Sequence, residues 1–412
     1  MQEGSDFLIV GAGITGLTIA RELIARKAGT VTIIDKEDGL GAHASGRNSG
    51  VLHAGIYYTP DSMKARFCAD GNKLMKQFCR DRGLALKETG KVIVARDESE
   101  HVQLEELKRR ADHAGANARL IDSGELARLE PHARTAGIAL HSPDTAVVDP
   151  KQILGALAAE LTATGKVTLL YGTSFLGPGA RGVETSRGTL HAGTVINAAG
   201  AYADRVAQAF GVASEFKLIP FKGTYKELPP ERAFLVNSNI YPVPDLANPF
   251  LGVHFTRSVS GHAHVGPTAL PAFGREHYGK LKGWSREAPA IAGRNVGLIR
   301  KSEAFRAAAK TEPKKYLKRV LYREAQQLVP ELRRDDLRRS HKVGIRPQLV
   351  HWPTRQLVMD FVVLKEGPAV HVLNAVSPAF TSSMAFARHA VDVLESETEW
   401  GAAVTEEAPD PT

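Results

Sequence analysis

Three glycines at G-x-G-x-x-G spacing, in Gly11-Ala12-Gly13-Ile14-Thr15-Gly16, are the first residues of this chain with a recognisable chemical task. Gly11 permits a tight turn, Gly13 lets the backbone approach a pyrophosphate, and Gly16 lets the next helix pack on the preceding strand. The free N–H groups of that helix start, from Ile14 and Thr15 onward, then face the phosphates. Asp35 stands 19 residues after Gly16. Its carboxylate is placed to accept hydrogen bonds from a ribose diol, with Lys36 beside it. The spacing predicts a dinucleotide site.

Two further segments argue for a cofactor longer than a nicotinamide dinucleotide. Ser45-Gly46-Arg47-Asn48-Ser49-Gly50 is a second polar, Gly-rich loop soon after Asp35. Val195-Ile196-Asn197-Ala198-Ala199-Gly200 is a late apolar run ending in small residues, where backbone must pass close to a ligand. With Phe175 added to the set, three separated segments of this kind favour FAD, whose isoalloxazine extends into a second domain. The cysteines Cys68 and Cys79 form no metal motif, so no metal is expected. Both are read as small buried apolar residues of a helix near 61–82.

These residues need a scaffold. Asp6–Val10 reads as a buried parallel strand, Ile14–Ile24 as a helix and Val31–Asp35 as a second strand, the opening of a doubly wound fold. Further helices are predicted near 61–82, 98–114, 150–162, 302–328 and 380–394. Strands are predicted near 91–95, 167–171, 182–186, 194–197 and 369–374. Between about 215 and 265 extended segments rich in Pro and aromatic residues predict a mainly antiparallel sheet. The fold class is therefore α/β: a Rossmann-like FAD-binding domain with a second, mainly antiparallel β-sheet substrate domain of α+β character. The FAD-binding domain is assigned to 1–88, 147–213 and 341–395, and the substrate domain to 89–146 and 214–340. The acidic tail 396–412 is expected to be disordered.

The 412 residues suffice for two domains, and no apolar run approaches the ~20 residues of a membrane span. No secretory signal is legible, and a cytoplasmic protein is expected. The net charge of +8 is uneven. Residues 275–342 hold 19 Lys and Arg against 8 Asp and Glu, a net of +11, which leaves −3 for the rest. The stretch carries no nucleic-acid motif and few aromatics, so nucleic acid is not expected. With Trp284, Ile291, Val296, Leu298 and Ile299 it has the composition of a segment that rests on the inner, anionic face of a membrane.

The chain resembles the glycine-oxidase/D-amino-acid-oxidase superfamily and, within it, the L-2-hydroxyglutarate oxidase/dehydrogenase family. The most diagnostic stretch is Arg47-Asn-Ser-Gly-Val-Leu-His53-Ala-Gly-Ile-Tyr-Tyr58, followed by Thr59-Pro-Asp-Ser-Met-Lys-Ala-Arg-Phe-Cys68. Pro220-Phe-Lys-Gly-Thr-Tyr225, Ile240-Tyr-Pro-Val-Pro-Asp245, Pro249-Phe-Leu-Gly-Val-His-Phe-Thr-Arg257, Gly344-Ile-Arg-Pro-Gln348 and Asn374-Ala-Val-Ser-Pro-Ala-Phe-Thr-Ser-Ser383 add to it. Thr224 and Lys226 depart from the family's usual acidic and aromatic residues, on what is expected to be the substrate side.

The resemblance implies oxidation of a small dicarboxylate 2-hydroxy acid, with electrons passed to quinone or oxygen. Such a reaction needs a base, and His53 and His254 are the candidates. A dianion needs cations or several donors. Lys222, Arg257 and Arg346 are the expected cations, Arg346 also bordering the cofactor, and Tyr58, Tyr225 and Tyr241 the expected phenols. Asn374, Ser377, Ala379, Phe380 and Thr381, at a strand end and helix start, are expected to hold the flavin's carbonyl edge. Two other readings compete. One is an amine or amino-acid oxidase acting on glycine, sarcosine or a D-amino acid. The other is a non-catalytic flavin-binding protein acting through a partner or a membrane surface.

Overall fold

The structure, a computed structural model, describes residues 4–245, 251–279, 283 and 285–396. Pro249, Phe250, Trp284 and the tail from 397 onward lie outside the described residues. The apolar run Ser5–Val10 forms the centre of a six-stranded sheet. In order, its strands are Val363–Glu366, Ala369–Val372, Ala192–Asn197, Ser5–Val10, Val31–Ile34 and Val167–Leu170. All neighbours are parallel except the Val363–Glu366 edge. A parallel sheet must be covered on both faces. The helices Ile14–Ala25, Pro150–Ala163 and Ala379–Glu395 supply Leu17, Leu23, Leu157, Phe386 and Val391 to the core beside Ile9 and Ile33.

The helix Met63–Asp81 packs on Ala379–Glu395 and buries both cysteines. Its Gly71 allows the approach: a Cβ there would stand 2.3 Å from the Thr381 carbonyl oxygen. Ser62 caps its N-terminus by accepting from the Ala65 N–H.

The second sheet is ten-stranded and mostly antiparallel. It runs Gln356–Leu357, Arg338–His351, Phe216–Glu227, Ala263–Gly266, His254–Arg257, Asn239–Pro242, Lys91–Val94, Ile138–Ser142 and Arg119–Asp122, with Leu270–Pro271 paired off the path. The boundary expected at 341 therefore falls inside a strand of the second sheet, Arg338–His351, which pairs along Phe216–Glu227. Only after Leu357 does the chain return to the parallel sheet. The expected helical stretch 302–328 is two helices, Glu303–Thr311 and Lys318–Leu328, parted by the 3-10 turn Glu312–Tyr316, whose second residue is Pro313. A helix at Ala288–Lys301 was not legible in the sequence, where its Gly293 and Gly297 hide the periodicity. Among the described residues no helix is long and apolar enough to cross a membrane.

Candidate active site

The C-terminal ends of the parallel strands and one face of the second sheet enclose a cavity of about 710 Å³. On the parallel-sheet side, Gly11, Gly13, Ile14, Thr15, Asp35, Lys36, Ser45, Arg47, Asn48, Ser49, Phe175, Ala199 and Gly200 all stand on its wall. Gly11 has φ +111°, and a Cβ there would meet the Ala198 carbonyl oxygen at 2.5 Å. Gly16 is not on the wall. A Cβ there would sit 2.0 Å from the Gly11 carbonyl oxygen and 3.2 Å from Ile9, so its absence is what lets helix and strand meet. Gly50 is also off the wall; its φ of +79° turns the chain where a Cβ would strike the Val148 carbonyl oxygen.

Polar side chains fix these loops. Asp35 accepts from the Ala12 N–H at 2.8 Å and from the Glu37 N–H at 2.9 Å. Ser45 Oγ accepts from the Ile14 N–H at 3.0 Å. Asn48 donates to the Ser45 carbonyl and accepts from the Gly50 N–H. Glycine backbone without side chains, a helix N-terminus and a strand-end carboxylate in one elongated cavity fit a dinucleotide, and the volume fits a large cofactor.

The remaining wall is built from the start of the last helix and from side chains of the second sheet. Ser377, Ala379, Phe380 and Thr381 line it where the helix Ala379–Glu395 begins. Thr381 Oγ1 accepts from the His53 N–H at 3.1 Å, tying the second Gly-rich loop to that helix. His53, Lys222, Tyr225, Tyr241, His254 and Arg346 converge on the same space. His254 and Tyr241 stand opposite each other on neighbouring strands and stack, with ring centroids 3.9 Å apart. His254 Nδ1 lies 2.8 Å from the Gly252 carbonyl oxygen. A carbonyl only accepts, so Nδ1 carries the proton and Nε2 keeps its lone pair. Burial pushes His254 down to about 4, against the Gly252 hydrogen bond and with help from the charge of Lys91. Burial, then Lys91 and His254, push His53 down to about 3. Both imidazoles are neutral at pH 7.

Lys222 donates to the Gly279 carbonyl at 2.9 Å, and burial lowers its pKa. Burial also lowers Arg346 below the ordinary guanidinium value, an effect that Tyr58 opposes. A carboxylate beside Arg346 removes that cost. Arg346→Met is expected to raise KM for a dianionic substrate by roughly 10- to 100-fold, the worth of about 1.5–3 kcal/mol for a hydrogen bond to a charged group. Steady-state kinetics with a dicarboxylate and a monocarboxylate substrate checks it, and an equal change for both would contradict it.

Besides Gly16 and Gly50, three expected residues do not reach the cavity. Arg257 donates to the carbonyls of Ala233 at 3.2 Å and Val236 at 2.6 Å and clasps a loop instead. It lies three residues from His254 in one strand, and the pleat sends odd offsets to opposite faces. Arg257→Met should therefore leave KM unchanged and lower stability by about 1 kcal/mol through its orphaned carbonyls, measurable by thermal melting. Asn374 is buried and donates to the Val358 carbonyl at 2.9 Å and to the Asp360 carbonyl, bracing the strand end. Tyr58 stands behind Arg346, with Lys64 Nζ 5.9 Å from its ring. Thr224 and Lys226 are off the wall as well; Thr224 hydrogen-bonds Thr268 at 2.8 Å.

Sequence reasoning missed the closure of the cavity. Lys36 pairs with Glu276 at 2.7 Å and with Glu37, and lies 3.0 Å from His43 Nε2. Glu37, His43 and Glu276 surround a lysine ammonium, which already supplies the cation their cluster needs. His43 Nδ1 meets the Tyr278 hydroxyl at 2.9 Å, and Arg47 lies over the Tyr278 ring at 4.3 Å. These contacts bring a segment of the second domain across the cofactor loops. Another omission was Lys91, a charged residue opening the apolar run Lys91–Val94, which is the signal that would have found it.

Comparison with known proteins identifies the family. The family described as DAO, FAD dependent oxidoreductase, matches residues 6–393. The chain belongs to this family of FAD-dependent oxidoreductases. Within it, the chain is 35% identical over 398 residues to an L-2-hydroxyglutarate dehydrogenase of Escherichia coli, covering 95% of this chain and 93% of that one. It is 34% identical over 423 residues to the mitochondrial L-2-hydroxyglutarate dehydrogenase of Homo sapiens, covering 96% and 89%. Among solved structures, an FAD-bound L-alpha-glycerophosphate oxidase from Mycoplasma pneumoniae superposes with TM-score 0.76 at 25% identity over 97% of both chains. A glycine oxidase from Geobacillus kaustophilus shares the fold, with TM-score 0.70 at 20% identity over 98% of both chains. FAD is accordingly the cofactor of this oxidoreductase.

Proposed function

We propose that the protein oxidises L-2-hydroxyglutarate to 2-oxoglutarate and passes the electrons to a quinone or to oxygen. The observation that carries this reading is the convergence of two neutral imidazoles and a half-buried guanidinium on one cavity continuous with the dinucleotide loops. Full-length similarity to L-2-hydroxyglutarate dehydrogenases supports the choice of diacid.

Bound FAD supplies the acceptor for the hydride that leaves C2. The chain's own residues do the rest. Arg346 and Lys222 hold carboxylate oxygens and fix which face of C2 is presented. Tyr225 and Tyr241 offer phenol donors; burial pushes Tyr225 to about 12, so it keeps its proton. The hydroxyl proton of the substrate goes to an imidazole of the His53–His254 pair, each neutral and thus able to accept it.

For electron exit, a quinone at an anionic membrane surface suits the basic helices. Val296, Ile299, Tyr316 and Leu317 are exposed there among Arg300, Lys301, Lys310 and Lys314. Ile291 and Leu298, expected to share that face, are instead buried in the protein. Formation of 2-oxoglutarate from the L but not the D enantiomer, with a soluble quinone as acceptor, tests the activity. No turnover of either enantiomer would overturn it. Sedimentation with anionic vesicles at low salt tests the surface, and protein left wholly in the supernatant would remove it.

A further inference from the structure

Lys91 is fully buried, and its Nζ has no hydrogen-bond partner among the described residues. It lies over the ring of Tyr57 at 4.2 Å and over that of Tyr241 at 5.1 Å. The register explains how it got there. Tyr241 pairs with Ile93 in the parallel ladder, and the two-residue period puts Lys91 on the face that Tyr241 and His254 share. An ammonium without a carboxylate or carbonyl is costly in the interior. A methionine of similar length would fill the same space at no such cost. What the ammonium faces is the catalytic pair: its charge is felt by both His53 and His254. The other titratable groups around this cluster are Tyr57, Tyr58, Tyr225 and Tyr241, and Cys68 from the helix Met63–Asp81.

We propose that Lys91 is a positioning residue of the oxidation site, a buried cation cupped by Tyr57 and Tyr241 that keeps the His53–His254 pair unprotonated when the dianionic substrate binds. The inference rests on the function proposed above. Its logic is electrostatic. Two carboxylates brought beside an imidazole favour the imidazolium, and an imidazolium cannot take the hydroxyl proton. A positive charge on the far side of Tyr241 opposes that effect without competing for the substrate, because Lys91 is not on the cavity wall. Burial lowers Lys91 to about 7, so its charge responds to the dianion as well.

The test compares FAD-loaded wild type with Lys91→Met in the pH profiles of kcat and kcat/KM. The expected result is an acid limb of kcat moved up by about one pH unit in Lys91→Met, with KM near wild type and thermal stability equal or higher. An unmoved acid limb would overturn the proposal, as would a fall in KM and kcat together with a lower melting temperature, which marks a packing role. If Lys91→Met does not fold, nitrogen NMR of the histidine rings in the wild-type holoenzyme with 2-oxoglutarate gives the answer. Histidine rings that take their protons about one pH unit lower in the wild type than in Lys91→Gln support the role, and equal titration, or an imidazolium signal at pH 7 in the wild type, refutes it. The NMR readout needs no turnover. Its failure is therefore distinguishable from absence of L-2-hydroxyglutarate oxidation, which would strike the proposed function instead.

Discussion

Replacing either imidazole by asparagine, in His53→Asn or His254→Asn, is expected to lower kcat by roughly 100- to 10,000-fold, the usual worth of a positioned general base. KM should change little, because the proposed carboxylate partners are Arg346 and Lys222, which also line the cavity. Both imidazoles line the cavity, and both are held neutral by burial. Asparagine keeps a polar group of similar size and removes the basic nitrogen. The pH dependence follows in sign. A folded-state histidine value near 4 means the base is ready at all higher pH, so the acid limb of kcat/KM should fall near pH 4 and not near 6.5. The same depression means that acid destabilises the fold, since the unfolded chain binds protons below pH 6.5 that the native pair refuses until about pH 4. Stopped-flow reduction and steady-state kinetics across pH 4–8 check both statements. Wild-type kcat in both variants would remove the histidines from the mechanism.

The second large effect is on cofactor retention. Gly11→Ala is expected to yield a protein that purifies with little or no flavin, with affinity for FAD reduced by roughly 10- to 100-fold or more. Gly11 has φ +111°, a region that costs a residue with a side chain about 1–3 kcal/mol. The added methyl would also stand 2.5 Å from the Ala198 carbonyl oxygen, and that backbone belongs to the strand end that lines the same cavity. The free protein relieves the clash by shifting the loop; the loaded protein cannot, so the cost appears in binding. Isothermal titration of the apoprotein measures it, with circular dichroism reporting the fold. A Gly11→Ala protein that remains yellow with wild-type affinity would show that the loop does not approach the pyrophosphate.

Much of this was legible in the residues, for identifiable reasons. The first strand, turn, helix and second strand are local, and their apolar periods and glycines agree with one another. Gly11, Gly13 and Asp35 line the cavity, and Asp35 accepts from the Ala12 N–H. The second sheet was harder. Its pairs join residues far apart, such as Phe221 with Arg346 and Ile240 with Val92, and nothing local marks those partners. Arg257 shows a signal present but unused. Strand alternation alone separates it from His254, which lines the cavity. Asn374 shows the reverse case. A polar residue at a strand end in an otherwise small, polar segment reads as a ligand contact. Whether its amide turns to the cavity or to the Val358 and Asp360 carbonyls is set by a neighbouring loop that only tertiary structure brings near. Lys91 was overlooked because a lysine at a strand start is usually solvated, and its burial depends on Tyr57 and Tyr241 folding over it.

The central claim is that one cavity joins an FAD site to a neutral histidine pair and a guanidinium suited to a 2-hydroxy diacid. Anaerobic mixing of the FAD-loaded protein with L-2-hydroxyglutarate tests it most directly, with D-2-hydroxyglutarate, L-lactate, glycine and sarcosine as comparisons. Rapid loss of the oxidised flavin absorbance with L-2-hydroxyglutarate alone is the predicted result. Reduction by glycine or sarcosine, with the L-diacid inert, would contradict it and place the protein with the amine oxidases of the family.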